Sequence, residues 1–292
     1  MNERFQVWEL PRDIPEVDEQ LGSKRKFWFR QDGQLWLFKY ARQNTGEDWA
    51  EKIAAEIAKL LELPSAEVEL AHFIDDRGCA SKSFVRQKEG VDLVHGSEVL
   101  AGRVFGYNKE KRWKQSSHSI ANIIEAVEKT FPKKERDKQL TTFAGFLVFD
   151  ALICNVDRHH DNWAFLRSPK AIHEVSPSYD HASSLGRELL DERRQNYIDT
   201  NQIEKYILNG HGGIYWDEKD SRGENPLKLA MKVAEKYPHY FQDWIVKVQS
   251  LHSEKIESIV KKVPGSIMSD IAKQFCISMM TITKRYFENL KL

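Results

Sequence analysis

The first ninety or so residues alternate between short apolar runs and polar breaks, a pattern typical of a strand-rich region. Two aromatic runs flank Asp32-Gly33, a dipeptide that favours a two-residue hairpin turn. Between the strands, the spacing of apolar residues over 47–62 predicts an amphipathic helix, which Leu63-Pro64 would end. The predicted strands span 26–30, 34–40, 66–74 and 79–86.

The pattern changes near residues 90–100, and the rest of the chain is predicted to be mainly helical. Its predicted elements are helices over 120–131 and 141–156, strands over 163–166 and within 172–181, and mostly helix over 186–292. The segment 141–156 is so apolar that we expect its helix to be buried. We therefore predict an α/β (α+β) fold with a small strand-rich lobe over 1–96 and a large helical lobe over 97–292.

Composition excludes several classes of protein. The chain carries 44 basic and 44 acidic side chains, whereas a dedicated nucleic-acid binder would need a basic surplus. No apolar run reaches the length of a membrane span, and the N-terminal residues lack the apolar stretch of a signal peptide. Three scattered cysteines form neither zinc spacing nor a disulfide framework. We expect a cytoplasmic protein, although leaderless secretion would leave no pattern in the sequence.

The segment after the predicted buried helix carries the candidate chemistry. Asp157 and Asn162 are five residues apart, and Asp180 follows a second short strand-like run. Phosphoryl transfer from ATP needs one carboxylate to orient the attacking hydroxyl, together with oxygen ligands that hold Mg²⁺ against the phosphates. This spacing predicts Asp157 as catalytic base and Asn162 and Asp180 as metal ligands. A plain polar turn is the alternative, because Asp and Asn side chains also satisfy backbone donors in loops.

A lysine and a glutamate upstream fit the same chemistry. Lys39 stands in a hydrophobic strand, where a kinase would use it to bind the α- and β-phosphates. Its partner would be a glutamate of the following helix. Glu56 lies beside the apolar stripe of that helix and Glu51 lies on the opposite side, so we predict Glu56.

A basic turn and two histidines complete the candidate set. Gly22 and Ser23, followed by Lys24 and Lys26, would form a phosphate-binding loop, although the single glycine matches no standard glycine-rich motif. His159 has a neighbouring histidine but no third ligand at metal-binding spacing. We interpret His159 as a hydrogen-bonding residue that braces the catalytic loop.

These motifs resemble those of the HipA-like serine/threonine kinases of bacteria. The most specific part is Asp157-Arg158-His159-x-x-Asn162, followed by Tyr179-Asp180-x-x-Ser183. The resemblance runs in order from Gly22-Ser23 through Phe38-Lys39 to the segment 263–275, and so covers nearly the whole chain. It implies a bilobal protein-kinase-like fold that binds Mg-ATP in its cleft and transfers the γ-phosphoryl group to a protein serine or threonine.

The resemblance also assigns roles by position. Asp157 matches the catalytic base, and Asn162 and Asp180 match the Mg²⁺ ligands. Lys39 and His159 complete the predicted catalytic set. The adenine hinge is expected near Phe84, Val85 and Arg86. The nucleotide-binding set is then Gly22, Ser23, Lys24, Lys26, Lys39, Glu56, Phe84, Val85, Arg86 and Tyr179.

The resemblance also implies which partners to expect. Toxins of this family phosphorylate aminoacyl-tRNA synthetases and act with an antitoxin, so such a substrate and an accessory subunit are the expected partners. Members autophosphorylate a serine of the phosphate loop, for which Ser23 is the positional match. Full-length toxins carry an additional N-terminal subdomain. Here the phosphate loop begins by residue 22, so we expect a compact member with a toxin-like role left open.

Three alternatives remain from the sequence. The Asp-Arg-His-x-x-Asn pattern also resembles phosphatidylinositol kinases, and the segment 103–138, with ten basic and five acidic residues, would suit anionic headgroups. Small-molecule kinases, such as those that modify antibiotics, use similar catalytic spacing. The segments 272–275 and 281–286 would fit the two helices of a DNA-binding helix-turn-helix, in a region of net charge +4 over 247–292.

Overall fold

Two β-sheets and ten helices make up the part of the chain that the structure, a computed structural model, describes: residues 3–14, 17–18, 25–86 and 89–290. The predicted phosphate-loop residues Gly22, Ser23 and Lys24 lie outside these ranges. The architecture is the predicted α/β type, with a strand-rich N-terminal lobe and a helical C-terminal lobe.

The N-terminal lobe is a six-stranded sheet with the order β1-β5-β6-β4-β3-β2. All neighbours are antiparallel except β1 and β5, which run parallel. Asp32 and Gly33 both have positive φ, 49° and 73°, and form the predicted tight turn between β3 and β4. The elements of this lobe are β1 (Val7–Leu10), β2 (Val17–Asp18), β3 (Lys26–Gln31), β4 (Gln34–Tyr40), α1 (Glu47–Leu60), β5 (Val68–Phe73) and β6 (Asp76–Lys82).

Helix α1 is buried on nearly all sides because it lies between the sheet and the helical lobe. Trp49, Ile53 and Ile57 join the large core of the C-terminal lobe. Ala55 instead packs with Val68 and Cys79 of the sheet. The helix thus ties the two lobes together, and its polar residues Glu47, Asp48, Glu51 and Lys52 face protein rather than water.

The remaining elements form the C-terminal lobe around the apolar half of α4, which is the predicted buried helix. A second sheet with the order β7-β8-β9 is antiparallel throughout and lies beside the loop that follows α4. The elements are β7 (Asp92–His95), α2 (Gly96–Ala101), α3 (Ile120–Thr130), α4 (Lys133–Ile153), β8 (Ala164–Arg167), β9 (Ile172–Val175), α5 (Asp191–Asp199), α6 (Ile203–Asn209), α7 (Pro226–Lys236), α8 (Pro238–Gln249), α9 (Ser253–Lys261) and α10 (Asp270–Glu288).

The helix-turn-helix interpretation of the C-terminal segment is wrong. Residues 270–288 form one continuous helix, α10, without a turn between 275 and 281. Phe275, Met279, Thr283 and Phe287 recur every four residues and are all fully buried, so a single face packs into the core along the whole length. No Gly or Pro interrupts this stretch.

No helix in the described ranges is long and apolar enough to cross a membrane. The lobe boundary near residue 96 stays a prediction. Strand β7 pairs with β8, and therefore belongs to the sheet of the C-terminal lobe although it precedes that boundary.

Candidate active site

A cleft of about 610 Å³ lies between the lobes and brings several predicted site residues together. Lys26 and Lys39 reach it from neighbouring strands, where they are directly paired in register. Asp157, His159 and Asp180 line it from two loops of the C-terminal lobe. Residues far apart in the chain thus meet in one cavity whose size is ordinary for a ligand site, about 300–1,000 Å³.

Lys39 is held by two carboxylates at the cleft wall. Its Nζ donates to Glu51 Oε1 at 2.8 Å and to Asp180 Oδ1 at 3.1 Å. Burial alone would lower the pKa of Lys39, but Asp180 and Glu51 outweigh it and raise the pKa, so the ammonium stays charged. The lysine is a fixed cation in a largely dry position, suited to binding phosphate oxygens.

The partner of Lys39 is therefore Glu51, and the predicted pairing with Glu56 is wrong. The apolar stripe of α1 faces the helical core, whereas the opposite side, with Glu51 and Ala55, faces the sheet from which Lys39 projects. Glu56 instead accepts from the neighbouring Lys52 and Lys59, both at 2.9 Å. The helical wheel predicted the wrong glutamate because α1 is buried on two sides.

Asp157 is positioned by its own loop and by the segment after Asp180. Ser183 Oγ donates to its Oδ2 at 3.1 Å. Asn162 Nδ2 donates to the backbone carbonyl of Asp157 at 2.7 Å, which fixes the amide with its oxygen turned away from that bond. The carboxylate faces the cleft, where it could accept a proton from a hydroxyl group.

A buried arginine shapes this loop, and sequence reasoning missed its role. Arg158 donates from Nε and Nη2 to both carboxylate oxygens of Asp150, each at 2.7 Å. It also donates to the carbonyl of Asn162 at 2.7 Å and to Ser178 Oγ at 3.0 Å. Asp150 additionally accepts from Asn155 Nδ2 at 2.8 Å. The available signal was Asp150, the single carboxylate in the apolar part of α4 from 141 to 153, because a buried charge requires a partner.

His159 is a neutral neighbour of the candidate base. The backbone N–H of Asp161 donates to its Nδ1 at 3.1 Å, which places the proton of the neutral ring on Nε2, 3.8 Å from Asp157 Oδ1. Burial lowers the pKa of His159 to about 4, despite the attraction of Asp161 and Asp180. Contact with the ring of Trp113, 5.5 Å between centroids, completes its packing.

Asp180 occupies a strained turn. Its φ of 60° lies in the left-handed region, which is unusual for a residue with a side chain. The next residue, His181, donates its backbone N–H to Glu51 Oε2 at 2.8 Å, and its ring Nε2 lies 2.6 Å from Ser178 Oγ. Glu51 therefore bonds to Lys39 with one oxygen and to the Asp180 loop with the other.

The remaining predicted nucleotide-binding residues lie elsewhere. Phe84, Val85 and Arg86 follow β6 and do not line this cleft, although the Phe84 ring lies 5.8 Å from that of Tyr179. Tyr179 is turned away from the cleft and donates its hydroxyl to the carbonyl of Asp161 at 2.8 Å. The adenine-binding role of this hinge stays a prediction.

The donor set suits a magnesium ion rather than a metal held by protein alone. Within the described ranges, no group of three His, Cys, Asp or Glu side chains is arranged to hold a metal. Mg²⁺ is commonly held by one or two protein oxygens together with substrate phosphates and water. The carboxylate of Asp180 is a ligand of that kind and lines the cleft, so it fits. Asn162 also offers an amide oxygen, but it is buried and does not line the cleft, so its role as a ligand stays a prediction.

Comparisons with known proteins place the chain among related folds. The family model described as the HipA-like C-terminal domain matches residues 19–271. The Helicobacter pylori proinflammatory kinase CtkA aligns with a TM-score of 0.80 at 20% identity, over 96% of this chain and 95% of that chain. HipA of the Shewanella oneidensis MR-1 toxin–antitoxin system, solved with HipB and operator DNA, aligns with a TM-score of 0.59 at 14% identity, over 99% and 65%. No curated protein matches the sequence. At these identities the structural likeness is one of fold.

Proposed function

The chain belongs to the family of HipA-like C-terminal domains, and on that premise we propose that it is an ATP-dependent kinase acting on a protein serine or threonine. The observation that carries the proposal is the convergence of Lys39, Asp157 and Asp180 on one cleft between two lobes. This set holds the phosphates, orients the acceptor and supplies a metal ligand, which are the groups that phosphoryl transfer requires.

In the proposed mechanism, Asp157 accepts the proton of the acceptor hydroxyl while that oxygen attacks the γ-phosphorus of ATP. The bond from the γ-phosphorus to the β–γ bridging oxygen breaks, and ADP leaves with that oxygen. Ser183 fixes one carboxylate oxygen of Asp157 at 3.1 Å, which limits its rotation. His159 is uncharged near pH 7, because burial lowers its pKa to about 4, and it therefore places no positive charge beside Asp157. A positioned general base of this kind contributes about 10²–10⁴-fold to rate.

On the nucleotide side, Lys39 binds phosphate oxygens and Glu51 keeps the lysine in place. Asp180 and Asn162 are the proposed magnesium ligands, and bound magnesium supplies neutralisation of charge on the β- and γ-phosphates. Lys26 adds a second cation on the same wall of the cleft. Gly22, Ser23 and Lys24 precede it in sequence, and we retain them as the proposed phosphate loop with Ser23 as the autophosphorylation site.

The biological setting is proposed from relatives. HipA was solved with HipB, which supports the proposal of an accessory subunit for this chain. As the substrate we propose an aminoacyl-tRNA synthetase, on the family resemblance alone. A toxin-like role would follow from such a target.

The test is incubation of the pure protein with γ-labelled ATP, Mg²⁺ and a cell lysate, followed by mass spectrometry of labelled bands. Asp157→Asn should reduce transfer by at least about 100-fold while ATP affinity, measured by calorimetry, changes little. Asp180→Asn should weaken the Mg²⁺-dependent part of ATP binding. Label found only in extracted lipid or in small molecules, or wild-type transfer by Asp157→Asn, would contradict the proposal.

A further inference from the structure

The candidate catalytic loop itself provides little positive charge for the phosphoryl group that is transferred. During transfer, negative charge spreads over the three equatorial oxygens of that group, and a cation that contacts them lowers the barrier. Arg158 follows Asp157 directly, but it is 3% exposed and holds the buried carboxylate of Asp150. His159 is uncharged near pH 7, because burial lowers its pKa. A cation for the phosphoryl group must therefore come from another part of the cleft.

Arg187 lies at the right place in the cleft to supply this cation. It lines the cleft, and its side chain is 18% exposed. Its Nη2 donates to Ser183 Oγ at 3.4 Å, and Ser183 Oγ donates in turn to Asp157 Oδ2 at 3.1 Å. An acceptor oxygen bonded to Asp157 would lie about 3–3.5 Å from the phosphorus that it attacks. The equatorial oxygens therefore fall in the same part of the cleft as the guanidinium group of Arg187.

A strained backbone turn fixes the position of Arg187. The two residues before it, Leu185 and Gly186, both have positive φ, 56° and 67°. Leu185 is fully buried, and its backbone N–H donates to the carbonyl of Ile153 at 3.0 Å. From the N-terminal lobe, the backbone N–H of Gly46 donates to the carbonyl of Arg187 at 2.9 Å. Left-handed residues other than glycine persist where the surrounding structure fixes them, and they cluster at functional sites. Backbone bonds from both lobes thus hold Arg187 at the cleft.

The positive charge of Arg187 is neutralised only in part. Arg187 and Arg42 both bond to the same oxygen, Oε1 of Glu47, at 3.3 and 3.2 Å. One carboxylate, 4% exposed, thus serves two guanidinium groups. Lys39, in contrast, is bonded to two carboxylates. Arg187 therefore retains positive charge in a position of low exposure, where an anion is attracted more strongly than in water.

We propose that Arg187 is a further catalytic residue, whose guanidinium group contacts the phosphoryl group as it passes from ATP to the acceptor. The inference rests on the proposed function, because the phosphoryl group must be attacked by an oxygen held at Asp157. The planar guanidinium group can donate two parallel hydrogen bonds to phosphoryl oxygens. The bonds of the Arg42 side chain join it to Glu47 rather than to Ser183, and it is 51% exposed, so Arg42 serves as a structural partner of Glu47.

The first measurement is steady-state phosphoryl transfer by Arg187→Gln, with Arg42→Gln as the matched control. Arg187→Gln should lower kcat about 100-fold, less than the 10³–10⁵-fold of an arginine finger because Glu47 neutralises part of the charge. The KM for ATP should change little, since the contact forms with the group in transit. Arg187→Lys keeps the charge without the fork and should lose less than Arg187→Gln. Arg42→Gln breaks the bond to the same Glu47 oxygen and should lower kcat less than about fivefold, because ion pairs of half-exposed arginines are weak.

A second measurement does not depend on transfer. Aluminium fluoride binds beside Mg-ADP as a mimic of the phosphoryl group in transit, and transition-state mimics bind about 10²–10⁸-fold more tightly than ground-state ligands. Calorimetry of Mg-ADP binding, with and without aluminium fluoride, should therefore show tighter binding to the wild-type protein when the fluoride is present. Arg187→Gln should lose most of that gain and bind Mg-ADP alone as the wild type does. Unchanged binding of Mg-ADP also shows that the variant is folded.

The outcomes separate the role of Arg187 from the kinase proposal. An equal gain from aluminium fluoride in wild type and Arg187→Gln overturns the role of Arg187 and leaves the kinase proposal standing. So does an equal loss of kcat in Arg187→Gln and Arg42→Gln, which would make both arginines structural partners of Glu47. An increase in KM for the protein acceptor at unchanged kcat also overturns it, because Arg187 would then bind an anionic group of the substrate. Absence both of transfer and of any fluoride effect in the wild-type protein overturns both proposals.

Discussion

The pairing of Lys39 with Glu51 makes a sharp prediction because Glu56, on the same helix, offers a matched control. Glu51→Gln removes the charge of a carboxylate that is 2% exposed and bonded to a lysine that is 12% exposed. Glu56→Gln makes the same chemical change where the carboxylate is 19% exposed. Only the first change touches the candidate site.

The expected magnitudes follow from burial. Removing one partner of a buried ion pair costs about 3–5 kcal/mol of stability. Asp180 stays 3.1 Å from Lys39 and retains part of the neutralisation, so we expect about 2–3 kcal/mol for Glu51→Gln. For Glu56→Gln we expect ~1 kcal/mol or less, because Lys59 is half exposed and Lys52 keeps Glu69 at 2.9 Å.

The two variants, Glu51→Gln and Glu56→Gln, should also differ in kcat/KM for ATP. Glu51 also accepts the backbone N–H of His181, so its loss loosens both the lysine and the loop that carries Asp180. A displacement of about 1 Å in such a group can reduce rate ~100-fold, and we expect that loss in kcat/KM for ATP with Glu51→Gln.

The assays are urea unfolding and steady-state phosphoryl transfer on both variants, with Lys39→Met added to complete a double-mutant cycle. A coupling energy between Lys39 and Glu51 of about 1 kcal/mol or more is expected. If Glu56→Gln impaired transfer as strongly as Glu51→Gln, or if the cycle showed no coupling, the assignment of the pair to the phosphate site would be refuted.

Three further predictions concern the support of the site. Burial lowers the pKa of His118 from 6.5 to about 3, so on acidification the unfolded chain binds this proton before the folded chain does. The free energy of unfolding should therefore fall as pH drops below about 6.5. His118→Gln should reduce the slope of the free energy of unfolding against pH by about 1.4 kcal/mol per pH unit between pH 6 and 4. Arg158→Lys should cost about 3 kcal/mol in urea unfolding, because lysine cannot replace the bidentate bonds, whereas Arg193→Lys at an exposed position should change stability by less than ~0.5 kcal/mol. Tyr179→Phe should cost about 1 kcal/mol, read from the thermal midpoint, because it removes the hydroxyl that donates to the carbonyl of Asp161 and lies 3.1 Å from His95 Nδ1.

Local chemistry made much of the fold predictable. The turn at Asp32-Gly33 requires two positive φ angles that these residue types tolerate, so the hairpin could be placed to within one residue. The helix over 47–62 was placed almost as closely, and ends at Leu60. The buried helix was predicted over 141–156 but begins at Lys133, because its first turns are polar and solvent-facing and carry no apolar signal.

The candidate site was less predictable from periodicity. Lys39, Asp157 and Asp180 were found through the order of motifs, since no local pattern shows that residues 141 positions apart will meet. Glu51 was missed for a different reason. A helical wheel assumes one buried face, but α1 has two, so the glutamate on the side opposite the apolar stripe is the one that contacts Lys39.

Asp150 is a residue from which part of the site geometry could have been predicted, because a buried carboxylate requires a cationic partner. A buried carboxylate in the apolar C-terminal half of α4 is unstable unless a cation pairs with it, and Arg158 is the cation of the adjoining loop. That single guanidinium bonds Asp150, the carbonyl of Asn162 and Ser178. The geometry of the candidate catalytic loop is thus set by the neighbours of the residues proposed to do the chemistry. Changing Asp157 should therefore reduce transfer and leave stability nearly unchanged, whereas changing Arg158 should reduce both transfer and stability.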